Sequence, residues 1–76
     1  QMSLVSQEYH VLENHTIAEN IYDKLPGFTN EEKEKRASRL LKLLELNLLR
    51  NTRAKHLSSG QKQRVAIARA LAIIPE

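Results

Sequence analysis

Leu57-Ser58-Ser59-Gly60-Gln61-Lys62-Gln63-Arg64-Val65-Ala66-Ile67-Ala68-Arg69-Ala70-Leu71-Ala72 is a polar, glycine-containing turn that runs directly into an apolar helical stretch. Ser58 and Gln61, three residues apart, have the spacing of a capping box, in which each side chain satisfies a free backbone N–H at the other end. The same groups suit a phosphate. The first N–H groups of a helix lack intrahelical partners, the helix dipole favours negative charge there, and Gly60 permits close approach. Spacing alone leaves both readings open. Further along, Val65 to Ile74 is apolar around most of its circumference, with Lys62, Arg69 and Glu76 seven apart on one narrow polar stripe. A helix of that kind is buried on nearly all sides, so a further layer is expected against its outer face.

Upstream, Thr16-Ile17-Ala18-Glu19 and Thr29-Asn30-Glu31-Glu32 repeat the capping-box spacing, and each predicts a helix start. Ile17, Ile21 and Leu25 recur every fourth residue. Pro26-Gly27 ends that helix, and Phe28 is expected to plug the corner. In the second helix Ala37, Leu40, Leu41 and Leu44 form the inward stripe, opposite Lys33, Glu34, Arg36, Arg39 and Lys42. Leu46, Leu48 and Leu49 extend the apolar surface, with room for a fourth short turn, and 50–56 reads as a basic, polar connection. Val11 and Leu12 are candidate anchors in an otherwise polar loop. Residues 1–7, centred on Leu4 and Val5, could be a strand, but no second segment has strand periodicity. The expectation is a mainly α, three- to four-helix subdomain that reads as an excised piece of a larger protein.

The 76 residues allow one small domain with too little core to be strongly stable. There is no cysteine, so disulfides and thiolate metal sites are excluded. No apolar run is long enough to cross a bilayer. Twelve lysines and arginines against nine acids give a net charge of +3, which suits an anionic partner and a solvated surface equally. His10, His15 and His56 lack metal-ligand spacing and company, and read as loop or packing residues.

Gly60-Gln61-Lys62-Gln63-Arg64-Val65-Ala66-Ile67-Ala68-Arg69-Ala70-Leu71 resembles the helix that follows the L-S-G-G-Q signature motif of ABC transporter ATPases, with Leu57 to Gln61 as the motif itself. Ser3-Leu4-Val5-Ser6-Gln7 resembles the end of the strand leading to that family's Q-loop. Leu12, His15, Thr16, Ile17, Ala18, Glu19, Asn20 and Ile21 resemble the segment often close to L-x-x-H-T-V-x-E-N-I. The resemblance spans nearly the whole chain and is weakest over 22–55.

It implies a helical subdomain excised from an α/β P-loop ATPase, in which 1–7 end a core strand at the Q-loop, 16–56 form the helical arm, and 57–76 carry the signature motif and its helix. It implies a cytoplasmic subunit, peripheral to the membrane, whose partners are a membrane-spanning transporter subunit, a second ATP-binding subunit and a catalytic core absent from this chain. Ser58, Ser59, Gly60 and Gln61 would meet the ATP phosphate in trans. Gln7, as the Q-loop glutamine, would sit near Mg²⁺ and the attacking water. Ser59 departs from the family's usual glycine, but leaves its N–H available. No G-x-x-x-x-G-K-[ST] phosphate loop and no Walker B carboxylates occur here. ATP and Mg²⁺ chemistry is therefore expected of the parent protein and not of the isolated chain.

The alternative from another class is a small basic nucleic-acid-binding module using Gln63, Arg64 and Arg69 on a recognition helix. Against it, Arg69 lies five residues from Arg64, on a different face, and most of that helix is apolar. No nucleic acid is expected as a partner.

Overall fold

The computed structural model describes residues 11–75. The strand expected over 1–7, Gln7, His10 and Glu76 lie outside the described residues. Three α-helices pack around one core: α1, Ile17–Tyr22; α2, Asn30–Leu43; and α3, Ser59–Ala72. Two 3₁₀ turns, Asn47–Leu49 and Ala54–His56, lie between α2 and α3. The first is the expected fourth turn. The second falls in the stretch expected to be an irregular connection. Among the described residues the only β pairing is an isolated antiparallel bridge between Thr16 and Arg53.

Each helix begins at the capping box its sequence announces. Thr16 Oγ1 accepts from Glu19 N–H at 3.1 Å and Glu19 Oε1 accepts from Thr16 N–H at 2.9 Å. Thr29 and Glu32 repeat the pair at 3.1 and 2.9 Å, and Ser58 and Gln61 at 3.2 and 2.9 Å. Such caps contribute about 1 kcal/mol each.

The C-termini are satisfied in three different ways. At the end of α2, Leu46 N–H donates to Leu41 O at 2.7 Å and Glu45 N–H to Lys42 O at 3.2 Å. This is a Schellman motif, with Leu41 and Leu46 buried together beneath it. It forces Glu45 to φ 61°, where glycine is ordinarily found. Glu45→Gly should therefore stabilise the chain by about 0.5–1 kcal/mol, read as a higher midpoint in denaturant. At the end of α3, the Arg36 guanidinium of α2 donates to Ala72 O at 3.0 Å and Ile74 O at 3.1 Å. At the end of α1, Arg69 of α3 donates to Asn20 O at 2.9 Å.

The core is the one the apolar spacing predicts: Ile17, Ile21 and Leu25 meet Ala37, Leu40 and Leu41 of α2 and Val65, Ala68 and Ala72 of α3. Four details differ. α1 closes at Tyr22, before Leu25, because the chain tightens to i→i+3 bonds, Lys24 N–H to Ile21 O and Leu25 N–H to Tyr22 O, as it approaches Pro26. Phe28 does not plug the corner: it is 41% exposed, with the Arg36 guanidinium 5.6 Å from its ring centre. Leu48 points outward at 97% exposure, while Leu46 and Leu49 pack inward. Arg69, placed by its sevenfold spacing on a polar stripe, faces inward at 8% exposure, because its position on α3 abuts the end of α1.

The opposite side of α3 is open, with Ile67 and Ala70 exposed along it and Ile74 exposed just beyond its end.

Candidate functional site

Ser58 to Gln61 form the exposed N-terminus of α3. Leu57 is buried in the core and its N–H donates to Ala54 O at 3.0 Å, so the turn leaves a fixed anchor. Of the first five N–H groups, Ser58 is taken by Gln61 Oε1, Gln61 by Ser58 Oγ and Lys62 by Ser58 O. Those of Ser59 and Gly60 have no acceptor among the described residues. The two readings of this turn are thus compatible: Ser58 and Gln61 cap the helix, and two adjacent donors stay open to an anion at its positive end.

Gly60 is informative for what the fold does not require of it. A Cβ built there would meet nothing within 4 Å, and its φ is not positive. Helix propensity argues against glycine in this place. Gly27, by contrast, sits at φ +89°, which glycine alone adopts readily.

Residues 11–23 are stitched to the approach to this turn. Ile17 N–H donates to Thr52 O at 3.0 Å, Ala18 N–H to Arg50 O at 3.1 Å, Ala54 N–H to His15 O at 3.0 Å and Lys55 N–H to Glu13 O at 3.0 Å. Lys62 Nζ reaches Glu13 Oε1 at 3.1 Å. Asn20, which the sequence offers only as part of a family resemblance, is fully buried. Its Oδ1 accepts from Leu12 N–H at 2.6 Å, and its Nδ2 donates to Leu12 O, His15 O and Thr16 O at 3.1, 3.3 and 2.8 Å. The available signal was a polar residue between Ile17 and Ile21 on the buried side of α1. Of the remaining histidines, His15 Nδ1 lies 3.4 Å from Glu19 Oε1 and His56 is exposed in the second 3₁₀ turn.

Arg50 opens the segment leading to Leu57 and is held by Glu34 of α2, whose carboxylate also accepts from the Tyr22 hydroxyl and, at 2.7 Å, the Ser38 hydroxyl. These bonds, Tyr22 first, then Ser38 and Arg50, hold the Glu34 carboxyl below the ordinary range. The bond from the Thr16 backbone N–H does the same, above all, for Glu19. A lowered carboxyl contributes stability that is complete above the ordinary range and is lost as pH falls through it. Thermal melts of Glu34→Gln should accordingly show a shallower loss than wild type between about pH 6 and 3. Parallel curves would show that Glu34 contributes nothing.

Comparison with known proteins matches residues 1–76 to the family model described as ABC transporter. The chain is 37% identical over 78 residues to the methionine import ATP-binding protein MetN of Clostridioides difficile, covering 100% of this chain and 24% of that protein. It is 42% identical to methionine import ATP-binding protein MetN 1 of Listeria monocytogenes, covering 100% of this chain and 23% of the relative. Against the arginine transport ATP-binding protein ArtP of Haemophilus influenzae the identity is 41%, covering 99% of this chain and 32% of the relative. The chain thus spans about a quarter to a third of the length of these relatives.

Proposed function

This chain belongs to the ABC transporter family, and from that premise we propose that it is the helical arm of an ATP-binding subunit, supplying the turn that closes over ATP held by a second such subunit. The observation that carries this reading is the pair of open N–H groups of Ser59 and Gly60, beside a glycine whose small size the fold does not use. Both donors suit the γ-phosphate, and the absence of a Cβ at Gly60 lets the backbone approach it. Ser58 holds Gln61 and the helix start in place through its hydroxyl oxygen, and its O–H remains a further donor to the same phosphate. ATP and Mg²⁺ belong to the complete subunit, whose catalytic core supplies phosphoryl-transfer chemistry; Gln7 is assigned to the Mg²⁺ and water of its own subunit. The open face of α3 at Ile67 and Ala70, with Ile74 exposed just beyond, supports a covering layer, which we assign to that core. The subunit works at the cytoplasmic face, docked on a membrane-spanning partner; among the described residues no helix is long and apolar enough to cross a membrane.

The nucleic-acid alternative loses one of its reading residues, since Arg69 is buried against α1.

The test uses the complete subunit carrying Ser59→Cys and an ATP analogue with a thiol-reactive γ-phosphate. Labelling is expected only when an intact second subunit holds the nucleotide. Labelling that persists with a second subunit unable to bind nucleotide, or none under any condition, overturns the reading.

A further inference from the structure

Arg69 is a buried cation that no step of the proposed function uses. Its Nη1 donates to Asn20 O at 2.9 Å and lies 3.3 Å from Asp23 Oδ2, while its Nε–H has no acceptor among the described residues. Burying a guanidinium with one N–H unmatched is costly, so a buried ion pair is weak evidence of net stabilisation, even though removing one partner alone is destabilising. Its worth is therefore sought in what it holds in place as well as in stability. Asn20 O is the α1 carbonyl whose helical partner is diverted, because Lys24 N–H turns to Ile21 O. Arg69 fills that vacancy from α3, the helix that carries the Ser58–Gly60 turn at its other end. On the far side of Asn20, the side chain grips Leu12, His15 and Thr16. One residue of α1 thus joins the segment downstream of Gln7 to α3.

We propose that Arg69 is a positioning residue: by fixing the register of α3 against α1, it sets where the open N–H groups of Ser59 and Gly60 stand relative to nucleotide, so that residues 11–23 and the turn move together. The inference rests on the phosphate-facing reading of that turn. A side chain that only stabilised the fold would lower the melting temperature and leave turnover of folded protein intact. A register pin instead governs kcat and leaves KM for ATP nearly unchanged, because primary nucleotide binding lies in the catalytic core.

The experiment measures ATP turnover by the complete subunit with its partners, well below the lowest melting transition, for wild type, Arg69→Lys and Arg69→Met. Lysine keeps the charge and one donor to Asn20 O, so this variant folds even if the methionine one does not. Expected is a kcat order of wild type, lysine, methionine, with at least a tenfold loss for methionine, about threefold for lysine, and KM within threefold. A lysine variant with wild-type kcat, or equal kcat in all folded variants, overturns the inference. Ser59→Cys labelling of the wild-type background, run alongside, separates the two failures: labelling in trans with unchanged Arg69 variants removes only the register pin, whereas lost labelling removes the reading beneath it.

Discussion

Asn20→Ala is expected to cost about 2–4 kcal/mol and to leave much of the isolated chain unfolded at room temperature. The side chain makes four hydrogen bonds, but their loss is unequal. Leu12 O keeps His15 N–H, His15 O keeps Ala54 N–H, and Thr16 O keeps the Asn20 backbone N–H. Leu12 N–H alone, a part-buried donor, is left without a partner among the described residues, at up to about 1–3 kcal/mol. The void left by the amide adds to this. A domain of this size seldom holds more than about 3–5 kcal/mol in all. Asn20→Asp should be at least as damaging despite its equal shape, because a second oxygen then faces the three carbonyls that Nδ2 now serves. Denaturant unfolding checks both; an aspartate variant as stable as wild type would refute the account of this residue.

Gly60→Asp should move stability and activity in opposite directions. In the chain alone the new side chain enters open space. It replaces glycine in a helix and places a carboxylate in the first turn, each worth a few tenths to about 1 kcal/mol in favour of the fold. In the complete subunit the same carboxylate stands where a phosphate is proposed to approach. Like charge in a water-poor contact, added to an obstructed N–H, should lower ATP turnover by about a hundredfold or more. Gly60→Ala tests the steric part separately, with a smaller gain in stability and a smaller loss of turnover. Undiminished turnover in the aspartate variant would sink the phosphate assignment, whatever the melting temperature does.

The capping boxes and apolar stripes were legible because they are local. Thr16 with Glu19, Thr29 with Glu32 and Ser58 with Gln61 act across three residues, and Ile17, Ile21 and Leu41 reveal themselves by period. Asn20, Arg36 and Arg69 act instead on backbone groups that no repeat announces: Arg36 meets Ala72 at a separation of 36 residues and Arg69 meets Asn20 at 49. Even so, a single charge between Ala68 and Ala70 in an apolar helix is a signal, although its sevenfold spacing groups it with a polar stripe. Phe28 and Leu48 failed in the opposite sense, since hydrophobicity predicts an inward direction only where a neighbour exists to receive it. The turn at Ser58–Gly60 was visible as a pattern, whereas which of its N–H groups remain open required coordinates.

The way the helix ends are closed also sets an expected order for the folding reaction. α2 is complete in itself, with Thr29 and Glu32 at one end and Glu45 and Leu46 at the other. α3 borrows Arg36 from α2, and α1 in turn borrows Arg69 from α3. A nucleus built on α2 and α3 can therefore form before α1 has anything to lock onto. Destabilising changes in α2 should slow folding, and those in α1, Asn20 among them, should chiefly hasten unfolding.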